Sequence, residues 1–237
     1  MNFGRPHRHF RRADSTNTRA RELAAAGAPG GTVVTADEQD AGRGRQGRSW
    51  HAVAGKSLLY SAILRPLELR HRLLPLAVPL AVCDADEQLR GGDCGVKWPN
   101  DVWIDGRKVA GVLIEARPQD GWAVIGVGLN VALAEADFPA ELRGASTSIS
   151  ASADVREAQA ALGSALGRWA AAPESEVLAA FRRRDALRGR EIGWNGGTGI
   201  AAGIDDEGNL LVTTAGGKTV SLGAGEVHLR LERETTR

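Results

Sequence analysis

The sequence predicts an α+β fold with a mixed or antiparallel sheet, followed by a small C-terminal β-barrel. Three observations predict it. Apolar residues at helical spacing are interleaved with short β-branched runs over positions 1–186. Asp-Gly and Gln-Asp-Gly separate consecutive apolar runs, which marks hairpins rather than parallel crossovers. From residue 187 glycine becomes frequent and short strands alternate with turns. The chain is therefore expected to divide into 1–186 and 187–237.

The elements follow in order. Ser15-Thr16-Asn17 precedes an Ala/Leu-rich stretch at 18–26 that Gly27 closes, an N-capped helix with a glycine stop. Residues 32–36 and 56–64 read as strands on either side of a Gly/Arg loop. Residues 73–89 have helical spacing, with Pro79 expected to kink or shorten the helix. Three apolar runs follow at 102–104, 109–115 and 122–127, then two helices at 156–169 and 174–187.

Composition sets bounds. With 237 residues and 43% hydrophobic content, the chain can bury one substantial core. Lys+Arg total 30 against 29 Asp+Glu, so net charge gives no reason to expect nucleic acid or membrane binding. No apolar run approaches the roughly 20 residues of a membrane span, and no apolar stretch follows the basic N-terminus to make a secretory signal. Cys83 and Cys94 lack metal-ligand spacing and read as reduced thiols of a cytoplasmic protein.

The densest chemistry is Gly42-Arg43-Gly44-Arg45-Gln46-Gly47-Arg48. Glycine lets backbone N–H groups approach an anion, and arginine offers a fixed fork of donors for phosphate or carboxylate. The motif alone fits a solvated surface loop equally well. Residues 42–47 match G-x-G-x-x-G, but that fingerprint must open a helix, and here a strand follows. Gly55-Lys56-Ser57 resembles the end of a P-loop, but Trp50 stands where its first glycine belongs. Any ATP site must be of another kind.

A second constellation is Lys97-Trp98-Pro99-Asn100-Asp101, followed across a hairpin by the run from Gly106 and Arg107 through Lys108 to Gly111. Strand alternation expects Lys108, Ala110 and Val112 on one face. Lys108 then either reaches solvent or points into a polar site, and Asn100 and Asp101 also suit a simple turn. A third piece is Gly126-Val127-Gly128-Leu129-Asn130, where two glycines on one face clear room for a flat ligand or mark a bulge.

Together with Glu38-Gln39 and Arg48-Ser49-Trp50, these motifs stand in the order and approximate spacing of bacterial biotin–protein ligases, which the chain resembles over nearly its whole length. Gly203-Ile204-Asp205 and residues 208–212 resemble that family's SH3-like C-terminal domain. The resemblance implies ATP-dependent activation of biotin as biotinyl-5'-AMP with release of pyrophosphate. Transfer to a lysine of the biotin carboxyl carrier domain of a carboxylase then releases AMP. It implies that Ser15, Thr16, Asn17 and Gln39 read the biotin head group, whose ureido ring suits hydroxyl and amide partners. Arg43, Gly44 and Arg45 would fold over the biotin carboxylate and the ATP phosphates, with Gly47 and Arg48 beside the phosphates and Trp50 near the adenine. Lys108 would be the catalytic cation between carboxylate and α-phosphate. Gly111, Gly126 and Gly128 would line the biotin, Asn130 the adenine side, and Asn100 and Asp101 the nucleotide and Mg²⁺, with Asp101 the candidate metal ligand.

Many bacterial relatives carry an N-terminal DNA-binding domain. Only 14 residues precede Ser15, so neither that domain nor a repressor role is expected. The family includes dimers, which makes a homodimer an expectation carried by the resemblance. Trp194 falls where an aliphatic residue is usual in the C-terminal domain. Two competing readings are a lipoate or octanoate ligase of the same fold, which usually shows a Gly-Gly-Gly run absent here, and a non-catalytic arginine-loop nucleic-acid binder.

Overall fold

The computed structural model describes residues 2–223 and 228–229. The chain runs β1 (His7–Ala13), α1 (Thr16–Ala25), β2 (Val33–Gln39), β3 (Ser57–Leu64), α2 (Leu74–Arg90), β4 (Gly95–Lys97), β5 (Asp101–Ile104), β6 (Arg107–Arg117) and β7 (Trp122–Asn130). It continues with α3 (Val155–Ala171), α4 (Glu174–Arg184), β8 (Glu191–Trp194), β9 (Gly197–Ile204), β10 (Leu210–Thr213), β11 (Thr219–Leu222) and β12 (His228–Leu229). The first seven strands form one sheet in the order β1-β2-β3-β7-β6-β5-β4. β1 pairs parallel with β2, and the remaining neighbours are antiparallel. The sheet is therefore mixed, as the α+β reading expects.

All eight residues of β3 are buried because the strand lies in mid-sheet with helices on both sides. On one face, Ala20 and Ala24 of α1 pack with Val34, Ile63, Trp122 and Val124. On the other, α2 and α3 cover Val33, Leu58, Tyr60 and Ala62, the residues one step out of phase. This alternation lets a sheet serve two cores with one sequence.

Pro79 neither ends nor shortens its helix. α2 runs 17 residues through it to Arg90 and stops at Gly91, whose φ of +76° suits glycine. The missing N–H would have served Pro75 near the helix start, so one hydrogen bond is lost and the rest of the helix continues. At the 105–106 turn, φ is +49° for Asp105 and +75° for Gly106, the geometry of the tight hairpin that Asp-Gly predicts.

The C-terminal strands make an antiparallel sheet in the order β11-β10-β9-β8-β12. Residues 224–227 and 230–237 of the expected C-terminal unit lie outside the described residues. Ile192, Ala201, Ile204, Leu210 and Val212 are continuous with the large core beneath α2 and α3. Trp98 Nε1 donates to Gly208 O at 3.1 Å, tying this sheet to the segment between β4 and β5. Phe181 of α4 is fully buried in the same core. Phe181→Ala is expected to destabilise the protein by about 3–5 kcal/mol, read as a lower urea midpoint at unchanged m-value.

Candidate active site

A cavity of about 350 Å³ opens on the α1 side of the sheet. At one end lies the start of α1. Ser15 precedes the helix in extended conformation, and Thr16 and Asn17 form its first turn. All three are buried. Gln39 Oε1 accepts the Thr16 backbone N–H at 2.7 Å and the Thr16 hydroxyl at 3.1 Å. The amide nitrogen of Gln39 is thereby turned toward Gly42.

The floor is made by β6 and β7. A Cβ on Gly126 would meet Asn17 Oδ1 at 2.0 Å, and one on Gly128 would meet the Trp50 indole at 2.3 Å. Glycine is required at both positions because a side chain from another element lies flat on the backbone. Gly111 stands under Trp50 and Lys108 in the same way, at 3.1 and 3.2 Å.

The Gly/Arg loop is a short hairpin. Arg43 bridges to Ser49, Gly44 N–H donates to Arg48 O, and Trp50 N–H donates to Gly42 O. Gln46 (φ +56°) and Gly47 (φ +76°) form its tip. Arg45 donates to Asn100 Oδ1 at 3.1 Å, and Asn100 Nδ2 donates to Val112 O at 2.8 Å. Asn130 is buried at the end of β7 and donates to Thr147 O.

Lys108 lies half-buried in the wall, 2.7 Å from Asp101 Oδ1 and 5.5 Å above the Trp50 ring. Simple alternation would have put it on the side of Ala110 and Val112. That expectation fails. Trp103 pairs with Lys108 and Val102 with Ala110, so Val109 is one extra residue, a β-bulge. Val109, Ala110 and Val112 face the core, while Lys108 faces the cavity with Gly111. Residues 145–147 take over as backbone partners of Lys108, through Lys108 N–H to Ala145 O and Thr147 N–H to Lys108 O.

The cavity thus gathers Ser15, Thr16, Asn17, Gln39, Arg43, Gly44, Arg45, Arg48, Trp50, Asn100, Asp101, Lys108, Gly111, Gly126, Gly128 and Asn130. Gly47 is the exception among the expected site residues; it sits at the hairpin tip, outside the lining. Sequence reasoning missed the far wall, where Phe138, Leu142, Ala145 and Ser146 line the cavity. Lys56 fastens that wall at 2.7 Å from Asp137, and its hydrogen bond holds the Asp137 carboxyl below the usual carboxylate range. It also missed Ser61, a hydroxyl within the apolar run of β3, and Glu115, an acid following the apolar run of β6. Both were visible as polar interruptions of apolar runs.

Five cationic side chains line the cavity, Arg43, Arg45, Arg48, Lys97 and Lys108, against one carboxylate, Asp101. Polar neutral groups crowd one end and cations the other. Such a cavity suits a ligand with an uncharged polar head and a polyanionic tail. Among the described residues, no group of three His, Cys, Asp or Glu could hold a metal ion, and no helix is long and apolar enough to cross a membrane.

Comparison with known proteins places these features in context. Residues 9–131 match the Biotin/lipoate A/B protein ligase family, and residues 188–230 match the Biotin protein ligase C terminal domain. The Biotin--[acetyl-CoA-carboxylase] ligase of Mycobacterium tuberculosis is 37% identical over 91% of this chain and 86% of its own. The Bifunctional ligase/repressor BirA of Bacillus subtilis is 42% identical over 59% of this chain, and the match spans only 44% of that relative. The biotin protein ligase of Aquifex aeolicus, solved in complex with biotin and ATP, superposes with a TM-score of 0.83 at 28% identity. That match covers 96% of this chain and 99% of the other.

Proposed function

Because the chain belongs to the biotin/lipoate A/B protein ligase family, we propose that it condenses biotin with ATP to biotinyl-5'-AMP and passes the biotinyl group to a carrier-protein lysine. The carrier is the biotin carboxyl carrier domain of a carboxylase. The observation that carries the reading is the polarity of the cavity beside α1, with amides and hydroxyls at one end and five cations at the other.

At the polar end, Ser15, Thr16, Asn17 and Gln39 bind the ureido ring, which offers both N–H donors and a carbonyl acceptor. The valeryl chain runs along the floor of Gly111, Gly126 and Gly128, beside the Asn17, Trp50 and Lys108 side chains that rest on it. Its carboxylate then meets the α-phosphate beside Lys108. Two anions repel at that point. A fixed ammonium lowers the repulsion and stabilises the charge that builds as the carboxylate oxygen attacks phosphorus and the bond to pyrophosphate breaks. Arg43, Arg45 and Arg48 hold the phosphates, while Trp50 and Asn130 bound the adenine side. Asn100 orients Arg45.

Mg²⁺ carried on a nucleotide takes one or two protein carboxylates besides phosphate and water. Asp101, the one carboxylate lining the cavity, fits that need. When bound, the ion neutralises the leaving pyrophosphate. In the second half-reaction the carrier's lysine nitrogen attacks the acyl carbon, AMP leaves with the bonding pair, and the amine proton passes to solvent or phosphate. The hairpin over the cavity keeps water from the anhydride.

We further assign 1–186 as the catalytic unit and 187–237 as the C-terminal unit. A cytoplasmic setting suits the two buried free thiols.

The test is pyrophosphate release from ATP and Mg²⁺ with and without biotin, with lipoate as control. Biotin-dependent release is expected, followed by acylation of added carrier domain. Absence of biotin-dependent release from folded protein would overturn the assignment, and lipoate-dependent release would move it to lipoyl chemistry.

A further inference from the structure

Asn17 is held from both sides. Its Nδ2 donates to Glu115 Oε2 at 3.0 Å and, over a longer 3.4 Å, to Leu113 O, and its Oδ1 lies 2.6 Å from the Ser61 hydroxyl, which donates to it. Glu115 is also gripped by Arg21, which donates to its other oxygen at 3.1 Å. Asn17 and Arg21 are one turn apart on α1, so the helix face takes both oxygens of one carboxylate projecting from β6.

The chemistry leaves one orientation for the amide. An ionised carboxylate only accepts hydrogen bonds, so the Asn17 nitrogen must face Glu115 and its oxygen must face Ser61. Ser61 fills one lone pair of that oxygen and leaves the second open. Asn17 lines the cavity, and its Oδ1 rests against Gly126, where any side chain would displace it.

We propose that Glu115 is a positioning residue that locks the Asn17 amide with its oxygen toward the cavity, so that Asn17 accepts a ureido N–H of the bound acid. The inference rests on the reading of biotin as that acid. It makes β6 the carrier of both ends of the site, Lys108 at the reacting end and Glu115 behind the head group. Neighbouring Ser15, Thr16 and Gln39 supply the remaining donors and acceptors.

The experiment compares Glu115→Gln, Glu115→Asp and Arg21→Gln in the full chain. The readouts are biotin KM, ATP KM and kcat from pyrophosphate release, and biotin Kd from direct titration without ATP. A glutamine can turn its own N–H groups toward Asn17 and release the amide to flip, presenting a donor where the ligand needs an acceptor. Glu115→Gln is expected to raise biotin KM and Kd about tenfold, an effect the size of one hydrogen bond, with ATP KM and kcat within about twofold. Glu115→Asp remains an acceptor and is expected to stay within about threefold of wild type. Arg21→Gln removes a tie between helix and sheet but not the lock, and it too should leave biotin KM within about threefold.

If Glu115 only fastens α1 to the sheet, Arg21→Gln and Glu115→Gln will shift biotin KM alike, and the proposal falls. It also falls if Glu115→Gln moves biotin and ATP KM together, or moves neither. Should Glu115→Gln not fold, Glu115→Asp decides: a tenfold rise in biotin Kd rejects the lock, and near-wild-type binding supports it. Wild-type protein that releases pyrophosphate with lipoate rather than biotin would instead displace the reading of the acid, a different failure visible in the control.

Discussion

Replacing Lys108 by alanine is expected to lower the rate of biotinyl-adenylate formation by about 10²-fold or more while leaving the fold intact. The side chain is half-exposed in the cavity wall, and its truncation opens no hole in the core. Its loss acts on charge. The carboxylate and the α-phosphate would meet without the ammonium between them, and Asp101, now 2.7 Å from Lys108, would add a third unbalanced anion. Lys108→Arg should recover only part of the rate, because Gly111 and the Trp50 ring leave a slot shaped for a narrow stem. Single-turnover conversion of labelled ATP measures the step directly. A Lys108→Ala rate within a few-fold of wild type would remove Lys108 from the chemistry.

Gly126→Ala should strike the opposite end of the cavity. The added methyl carbon would lie 2.0 Å from Asn17 Oδ1. Asn17 is pinned by Ser61 and Glu115, so it cannot step aside without breaking a hydrogen bond. Biotin KM is expected to rise by about 10- to 10²-fold, the scale of a 1 Å misplacement in a binding geometry. ATP KM should hold, since the phosphate end is built on other elements. Thermal unfolding separates this from a general loss of structure, and a biotin KM within twofold of wild type would contradict the placement of the head group.

Much of this was legible in the chain. Asp105-Gly106 announced its hairpin because only a few residues tolerate two positive φ values in succession. The glycines at 126 and 128 announced a floor because strands rarely carry glycine without a close neighbour. The residue-level site came chiefly from resemblance, since each motif alone had a plain structural alternative. What escaped has physical causes. β1 is polar and lies at the sheet edge, so it carries no alternation, and its parallel partner is fixed by tertiary contacts. Pro79 looked like a helix breaker, yet it sits near enough to the helix start to forfeit little. Phe138, Leu142, Ala145 and Ser146 come from irregular backbone, where periodicity says nothing about direction. Lys108 was assigned to the wrong face because a bulge leaves no mark in composition.

That bulge decides which face the start of the strand presents. Were Val109 instead absorbed into regular pairing opposite Trp103, Lys108 would slip opposite Ile104 and the ordinary alternation of faces would return. The ammonium of Lys108 would then be turned toward the apolar layer that now holds Val109, Ala110 and Val112. A lysine there must shed its proton or split the packing open. The single surplus residue is thus a phase shifter between two repeats, one that builds the interior and one that arms the surface above it. Deleting Val109 outright, by contrast, should leave Lys108 opposite Trp103 and on the cavity face.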